Sequence, residues 1–306
     1  MVVIFFGTPH FAVPSLSKLS DKHEIVMVVT QPERPKGRKL KRHPSPVKRW
    51  AVEKNIPVLE PVNVNDHETI ETIRSFNPDV IVVAAYGQIL SERLLKSPKQ
   101  GCVNVHASLL PAYRGAAPIQ RALMDGADST GVTIMLMDTG MDTGDIFEQK
   151  EIRIDDEDDN TVLTGKLADL GADLIEKVLG DIEAGTARAK PQNDQYASYA
   201  PMINKTEYEI DWKKPADTLA HLVKSLRPAP GAFTYWHKKR LKVIRVKEYE
   251  AKGDKPGILT VENEKLIVAT GRGSLELIEV QPEGKKPMAG AEFFRGYHPL
   301  TGDHLG

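Results

Sequence analysis

Cysteine, long apolar runs and repeated segments are scarce in this chain of 306 residues. The single cysteine, Cys102, cannot form an internal disulfide, which excludes a disulfide-stapled domain and favours a reducing compartment. No apolar run reaches the length of a membrane span, and no basic, apolar leader opens the chain at Met1. These absences predict a cytoplasmic protein without a membrane partner. Because Cys102 lies in a valine-rich stretch, we interpret it as small core filler, with a reactive thiol as the alternative.

The glycines of a nucleotide-binding loop are also missing. The apolar run Val2–Phe6 leads into Gly7, where a dinucleotide-binding protein carries a Gly-x-Gly-x-x-Gly loop, but the second and third glycines are absent. Pro9 hinders the close approach of a pyrophosphate, so NAD, NADP and FAD are disfavoured. The chain has no GxxxxGK[ST] loop either, which argues against ATP-driven chemistry.

Charge is distributed unevenly along the chain. The net charge of −1 argues against a protein coated in nucleic acid. Yet residues 34–49 contain eight Lys and Arg and no acid, and residues 209–306 contain 17 Lys and Arg against 13 Asp and Glu. The first 208 residues contain 24 against 29. The first 208 residues are therefore acidic overall but contain a basic loop, and the C-terminal region is basic.

The length and a hydrophobic content of 41% are sufficient for two domains, each with its own core. Three apolar runs, Val2–Phe6, Ile25–Val29 and Val80–Ala85, are typical of parallel strands buried on both faces, and a helical pattern follows each. They predict an α/β domain with a doubly wound, mostly parallel, Rossmann-like sheet. Further strands are predicted at 103–106, 131–137 and 146–154, and helices at 11–19, 46–54, 66–76, 118–125 and 161–183.

The pattern changes after Gly185. No periodicity is clear up to residue 208, which predicts a linker, and the aromatic residues of this stretch suggest that it packs against the protein. From Glu209 onward, short β-rich segments separated by glycine predict a small C-terminal β-barrel of OB-like type. We therefore predict a first domain over 1–188, a linker over 189–208 and a second domain over 209–306.

Asn104 and His106 lie two residues apart in a run where valine alternates with polar residues, so both side chains leave the same face of a strand. The run passes at once into a stretch with Pro111 and Gly115, which ends the strand. The pair would then lie at a carboxyl end, where open α/β sheets bind ligands. The alternative is an edge strand that exposes its polar face to water. Spacing alone leaves both interpretations open.

The segment from Asp138 to Asp145 follows a predicted strand and contains three carboxylates, including Asp142, in eight positions. It is compatible with calcium or magnesium binding, although the EF-hand spacing is absent, and also with a simple tight loop. A third interpretation is that one aspartate orients His106 and keeps it protonated.

Four runs in the first domain share a pattern with one family: FGTPHFA at 6–12, AYGQIL at 85–90, NVHASLLPAYRG at 104–115 and MDTGMDTGD at 137–145. Together they resemble the 10-formyltetrahydrofolate-dependent formyltransferases. Four more are similar to the methionyl-tRNA branch of that family: RGAAPIQRAL at 114–123, MINKTEYEIDW at 202–212, RPAPGAFT at 227–234 and QPEGKKPM at 281–288. The motifs span the whole chain in the family's order.

The resemblance implies transfer of a formyl group from N10 of 10-formyltetrahydrofolate to the α-amino group of methionyl initiator tRNA, for translation initiation, without a metal. It places the family's catalytic asparagine, histidine and aspartate on Asn104, His106 and Asp142. Direct attack by the amine places negative charge on the formyl oxygen, and Asn104 and a protonated His106 are the donors that this charge needs. Asp142 would support His106.

The resemblance also implies two binding surfaces, and we expect a monomer. The folate would be held by Tyr86, Gly87, Gln88, Ile89, Leu90, Ser108, Leu109, Leu110, Pro111, Thr139 and Gly140. We predict that the basic loop and the 209–306 domain bind tRNA phosphates. The cations predicted to do so are Arg34, Lys36, Arg38, Lys39, Lys41, Arg42, Lys238, Lys239 and Arg240.

Three rival interpretations stay open. The same catalytic residues suit a formyltransferase for an amino-sugar nucleotide or for glycinamide ribonucleotide, although the basic loop and the second domain speak against the latter. The second rival is an RNA-binding protein whose α/β domain is catalytically inactive. A nicotinamide oxidoreductase is the third, and the turn after the first strand disfavours it.

Overall fold

The computed structural model describes residues 1–33, 35–36, 41–250 and 255–306, with the backbone alone for residues 35–36 and 41–42. The chain divides into two compact units. The first comprises Met1–Pro118, Ser129–Arg153 and Thr164–Pro201, and the second comprises Ile119–Asp128, Ile154–Leu163 and Met202–Gly306. Two short segments that precede residue 164 thus belong to the second unit. Within the described ranges, none of the helices is both long and apolar enough to span a membrane.

The strands that begin in the first half of the chain are β1 (Val2–Gly7), β2 (Glu24–Val29), β3 (Pro35–Lys36), β4 (Lys41–Arg42), β5 (Val58–Leu59), β6 (Val80–Ala84), β7 (Cys102–His106), β8 (Ser129–Leu136) and β9 (Ile146–Arg153). The helices are α1 (Ala12–Ser20), α2 (Pro46–Glu53), α3 (His67–Ser75), α4 (Glu92–Leu95), α5 (Pro118–Met124) and α6 (Asn160–Glu183). Seven strands form one sheet in the order β5-β2-β1-β6-β7-β8-β9, and β3 pairs with β4.

The first five strands of that sheet order run parallel, whereas β8 and β9 are antiparallel to their neighbours. Ile4, Phe6, Ile81 and Val83 from the central strands are at most 5% exposed, as expected for a sheet covered on both faces. The chain extends the sheet to one side of β1 through β2 and to the other side through β6, which creates a crevice at their carboxyl ends. The predicted Rossmann-like sheet is confirmed.

Strand β7, which contains Asn104 and His106, is an interior strand. It pairs in parallel with β6, where Val83 is the partner of Asn104, and antiparallel with β8, where Thr133 is the partner of His106. The edge-strand alternative is therefore wrong, because the outer strand on this side is β9.

The second unit is built on an antiparallel sheet with two helices that the sequence patterns did not reveal, α7 (Ala216–Leu226) and α8 (Gly290–Tyr297). Its strands are β10 (Ala232–Trp236), β11 (Lys239–Tyr249), β12 (Leu259–Glu262), β13 (Lys265–Ala269), β14 (Ser274–Pro282) and β15 (Met288–Ala289). The order is β10-β11-β14-β13-β12, with β15 beside β14.

The last residues of the chain close this sheet. Leu305 pairs with Trp236 of β10, and His304 pairs with Ile258 just before β12, so both outer strands bond to the same segment. Closure removes the exposed edges that make an open sheet prone to association. The predicted small C-terminal β-barrel domain is thereby confirmed, and its sheet is antiparallel.

Candidate active site

Strand β7 presents a buried carboxamide and a buried imidazole at the carboxyl ends of the parallel strands. Asn104 is 9% exposed and His106 is 5% exposed. Their spacing of two residues directs both side chains to the same face of the sheet. Among the described residues, the Asn104 carboxamide has no hydrogen-bond partner. Its polar atoms are not among the fully enclosed ones, so this carboxamide is open to hydrogen-bond with a ligand.

The His106 ring lies between two oxygen acceptors. Its Nε2 is 3.1 Å from the main-chain oxygen of Tyr113, and its Nδ1 is 3.6 Å from Oδ2 of Asp142. A neutral imidazole has one N–H donor and an imidazolium has two. The protonated ring is therefore the form that can face both acceptors with an N–H group. His106 and Asp142, which the sequence analysis paired, thus lie in contact, at a distance slightly longer than a formed hydrogen bond.

Asp142 is held in place by the loop that follows β8. Its φ is +55°, and its Oδ2 accepts a hydrogen bond of 2.8 Å from the Gly115 N–H. Gly144 must be glycine, because a Cβ at this position would lie 1.8 Å from the main-chain oxygen of Leu136. The loop thus turns the Asp142 carboxylate towards β7 and the segment after it.

The other two carboxylates of the loop do different things. Asp138 accepts hydrogen bonds from the Thr143 hydroxyl and the Gly140 N–H, so it shapes the loop from within. Asp145 is exposed. In the part of the chain that the structure describes, no group of three or more His, Cys, Asp and Glu side chains could hold a metal ion.

Residues 107–115 form a loop tied down by side chains. Ser108 is fully buried, and its hydroxyl donates to the main-chain oxygen of Ala112 over 2.6 Å. The Thr133 hydroxyl on β8 donates to the oxygen of Ser108 and accepts from the N–H of Leu110. Leu110 is buried, and Leu109 and Pro111 are half-buried. Ser108 and Leu110 therefore shape the loop from inside.

Gln192 and Arg114 are site-supporting residues that the sequence patterns did not reveal. The Gln192 amide donates to the main-chain oxygens of Asp142 and Gly144, over 2.9 and 2.7 Å. Its oxygen accepts from Nε and Nη2 of Arg114, and Arg114 also pairs with Asp194. Arg114 is only 3% exposed. Gln192 therefore links the loop that holds Asp142 to the loop whose Tyr113 oxygen faces His106.

The turn after β6 contains five of the predicted folate-binding residues, and the structure gives them different environments. Tyr86 is 2% exposed, its ring packs edge-on against Phe6, and its buried hydroxyl has no partner among the described residues. Burial raises the pKa of Tyr86. Gly87 has a φ of +93°, Leu90 lies in the core, and Ile89 is 75% exposed.

The Gln88 side chain, in the same turn, is hydrogen-bonded to the neighbouring segment. Its oxygen accepts from the N–H of Val64, and its amide donates to the oxygen of Val62. Thr139 and Gly140, on the other predicted folate-binding loop, are exposed. No hydrogen bond among the described residues joins these two loops.

Comparisons with known proteins decide the family. A family model described as formyl transferase matches residues 1–179, and one described as formyl transferase, C-terminal domain, matches residues 202–298. The chain is 43% identical over 308 residues to the methionyl-tRNA formyltransferase of Caldanaerobacter subterraneus subsp. tengcongensis, covering all of both chains. It is 44% identical over 305 residues to that of Geobacter sulfurreducens, covering 99% of this chain and 96% of the relative. The chain belongs to the methionyl-tRNA formyltransferase family.

Membership in the methionyl-tRNA formyltransferase family confirms the resemblance seen in the motifs and makes the chain a formyl-transferring enzyme. Solved structures agree on the fold. A methionyl-tRNA formyltransferase from Clostridium thermocellum matches with a TM-score of 0.57 at 16% identity, over 92% of this chain and 98% of that one. The sugar 3N-formyl transferase WlaRD matches with a TM-score of 0.69 at 18% identity, over 94% and 99%.

The cations predicted to bind tRNA in this formyltransferase are only partly described. Arg34, Arg38 and Lys39 lie outside the described residues, and for Lys36, Lys41 and Arg42 only the backbone of β3 and β4 is described. At the other end of the basic stretch, Lys48 forms ion pairs with Glu33 and Glu60, and these contacts raise its pKa. Lys48 is therefore neutralised within the protein.

The predicted cations of the second unit lie at the end of the β10–β11 turn and the start of β11. Lys238 and Lys239 are exposed, and Lys238 has a φ of +61°. Arg240 is half-buried, with its guanidinium 3.8 Å from the centre of the Phe233 ring. The turn thus presents two exposed cations beside one that is stacked on an aromatic ring.

Proposed function

We propose that this enzyme transfers the formyl group of 10-formyltetrahydrofolate to the α-amino group of methionyl initiator tRNA. The observation that carries the proposal is the arrangement of an unpartnered Asn104 carboxamide beside the His106–Asp142 pair. Support also comes from 43% identity along the whole chain to a methionyl-tRNA formyltransferase.

Asn104 and His106 would stabilise the negative charge that develops on the formyl oxygen when the amine attacks. The Asn104 amide is the direct donor, because its N–H groups have no partner among the described residues. A cationic His106 adds positive charge in a buried site, where charge interactions are strong. Loss of one such donor costs roughly 3–4 kcal/mol in other acyl-transfer sites.

Asp142 would keep His106 oriented and protonated, since its carboxylate lies beside Nδ1 while the Tyr113 oxygen faces Nε2. Through water, it would accept the proton that the attacking amine releases and return it to N10 as the bond between N10 and the formyl carbon breaks. A free α-amino group has a pKa of about 7.7–8.0, and esterification of the carboxyl lowers it, so no strong base is needed. The site accordingly needs no nucleophilic serine or cysteine.

The folate supplies the formyl group on N10 when it is bound. The unpartnered Asn104 carboxamide fits such a ligand, and so do the loops that border it. Backbone groups of 86–90 and 139–140 would hold the heterocycle, with the 108–111 loop shaping the site. Exposed Ile89, next to the buried Leu90, offers apolar contact area at the border.

The tRNA would be held by the predicted cations between Arg34 and Arg42 and by Lys238, Lys239 and Arg240. We further propose that residues 1–188 form the catalytic domain, 189–208 the linker and 209–306 the tRNA-binding domain. Substitution of Lys238 and Lys239 by glutamine should raise the KM for tRNA and flatten its salt dependence, because fewer counterions are released on binding.

The test is to incubate the purified chain with charged initiator tRNA and 10-formyltetrahydrofolate and to analyse the released amino acid. Formylmethionine is expected, with little or no formylation of an amino-sugar nucleotide offered as the alternative acceptor. Asn104→Ala should lose most of the turnover. Absence of formylmethionine, or near-normal turnover in both Asn104→Ala and Asp142→Ala, would show that the proposal is wrong.

A further inference from the structure

Two tyrosines near the catalytic loop are unusually exposed. Tyr196 is 72% exposed and Tyr199 is 67% exposed, and they are the most exposed aromatic side chains in the described part of the chain. The expectation that this stretch packs against the protein holds for its backbone, which pairs with Arg114 and buries Ala200, whereas these two rings face solvent. The two rings instead lie three residues apart at the surface, where apolar area in water is unfavourable unless a partner covers it.

The backbone that carries Tyr199 is held on both sides. The Ser198 oxygen accepts from the Arg114 N–H over 2.8 Å, and the Ala200 N–H donates to the Arg114 oxygen over 2.7 Å. Ala200 is fully buried, so Tyr199, its neighbour in an extended segment, is turned outward. Gly115 accommodates this contact, because a Cβ there would lie 2.8 Å from the Ala200 oxygen.

Tyr196 is also on a constrained backbone. It ends a short 3-10 turn, Asp194–Tyr196, which is capped by the Asn193 side chain accepting from the Gln195 N–H. The Asp194 carboxylate at the start of the turn pairs with buried Arg114 over 2.7 Å. Both rings are therefore presented on a pre-ordered backbone, which lowers the entropic cost of binding.

The tyrosines border the catalytic residues. The Tyr113 oxygen faces Nε2 of His106, and the Tyr113 N–H donates to the Ser198 hydroxyl over 2.9 Å. Two hydrogen bonds thus connect the catalytic imidazole to the residue before Tyr199. A substrate that approaches Asn104 along the 194–200 segment would meet the two rings.

We propose that Tyr196 and Tyr199 form a stacking surface for the unpaired bases at the 3′ end of the tRNA, an inference that rests on the proposed function. The methionyl ester is on the last nucleotide, so when its amine is beside Asn104 the preceding bases lie at the border of the site. Each base has a flat aromatic face that stacks on tyrosine without sequence preference. The folate is assigned to the loops at 86–90 and 139–140 and has no need of these rings.

Alanine, phenylalanine and leucine variants of each tyrosine test this inference in the full chain. Tyr196→Ala and Tyr199→Ala should each raise the KM for methionyl-tRNA about fivefold or more, because stacking on one ring is lost. The kcat, the KM for 10-formyltetrahydrofolate and the thermal unfolding temperature should stay near the wild-type values. Phenylalanine should preserve the KM, whereas leucine, which has the bulk but no aromatic face, should not. Phe76→Ala, at the end of α3, removes another surface aromatic ring and should leave both KM values unchanged.

An unchanged KM for methionyl-tRNA in the Tyr196→Ala, Tyr199→Ala double variant would overturn the inference. So would full rescue by leucine, or a rise in the KM for the folate alone. If the wild-type chain does not formylate methionyl-tRNA, the proposed function fails and this inference with it. Wild-type formylation with an unaffected double variant would overturn the stacking surface alone.

Discussion

The two units of the chain hold their critical segments in different ways. In the first unit, side chains tie the loops at the strand ends: Asp142 bonds to Gly115, and Gln192 bonds to the Asp142 loop and to Arg114. In the second unit, main-chain pairing of His304 and Leu305 closes the sheet. The contrast indicates that single side-chain changes will alter chemistry in the first unit and stability in the second.

The largest effect is expected when the charge of Asp142 is removed. Asp142→Asn keeps an oxygen that can accept from Gly115 but cannot support a cationic His106, so kcat should fall on the order of 100-fold or more. Single-turnover formylation measures this directly. The control is Asp145→Asn in the same loop, where the carboxylate is exposed and kcat should stay within about twofold. An equal loss of kcat in both variants would contradict the different roles assigned to Asp142 and Asp145.

Substitution in the core of the second unit should lower its stability and leave the rate of the reaction unchanged. Leu305 is 2% exposed and lies in the core of the closed sheet, so Leu305→Ala should destabilise this unit by about 2–5 kcal/mol. Calorimetry or denaturant titration gives the value, and kcat below the unfolding temperature should be unchanged. Leu300→Ala is the control, because Leu300 is 68% exposed. A similar small loss of unfolding free energy in both variants would show that closure by the last residues contributes little to the stability of this unit.

Replacement of the Gln192 amide by a carboxylate should have an intermediate effect. Gln192→Glu cannot donate to the oxygens of Asp142 and Gly144 although it can still face Arg114, so the Asp142 loop loses its support. We expect a fall in kcat equivalent to roughly 1–3 kcal/mol, with the KM for both substrates little changed. Gln195→Ala, an exposed residue of the same segment, should behave as wild type. A change in KM alone would mean that Gln192 contacts a substrate.

The smallest effect is expected at Cys102, despite its place two residues before Asn104. Burial raises the pKa of its thiol to about 12, so the reactive thiolate is scarcely present at pH 8. Iodoacetamide should therefore leave the folded chain unlabelled and active, and should label it after unfolding. Rapid labelling of the native protein with loss of activity would show an accessible thiol that the structure does not contain.

Local patterns predicted the central strands and placed Asn104 and His106 on one face of a strand, whereas the choice of Asp142 among the loop carboxylates came from the family resemblance. They missed α7 and α8, because each is a short element inside a region dominated by strand signals. Gln192 was missed because it contacts the Asp142 loop from 50 residues away, in a segment without periodicity. The oxygen that faces Nε2 of His106 was missed because it is the main-chain oxygen of Tyr113. Every residue has such an oxygen, so the amino-acid type does not reveal its role.

The central claim is that the Asn104 amide donates a hydrogen bond to the oxygen of the transferred formyl group. Asn104→Asp tests it most directly, since aspartate has the same shape but, when ionised, only accepts. In single-turnover formylation of methionyl-tRNA at saturating folate, we predict a loss of rate of about 100- to 1,000-fold with the overall fold intact. A rate within a few-fold of the wild type would contradict the role assigned to Asn104.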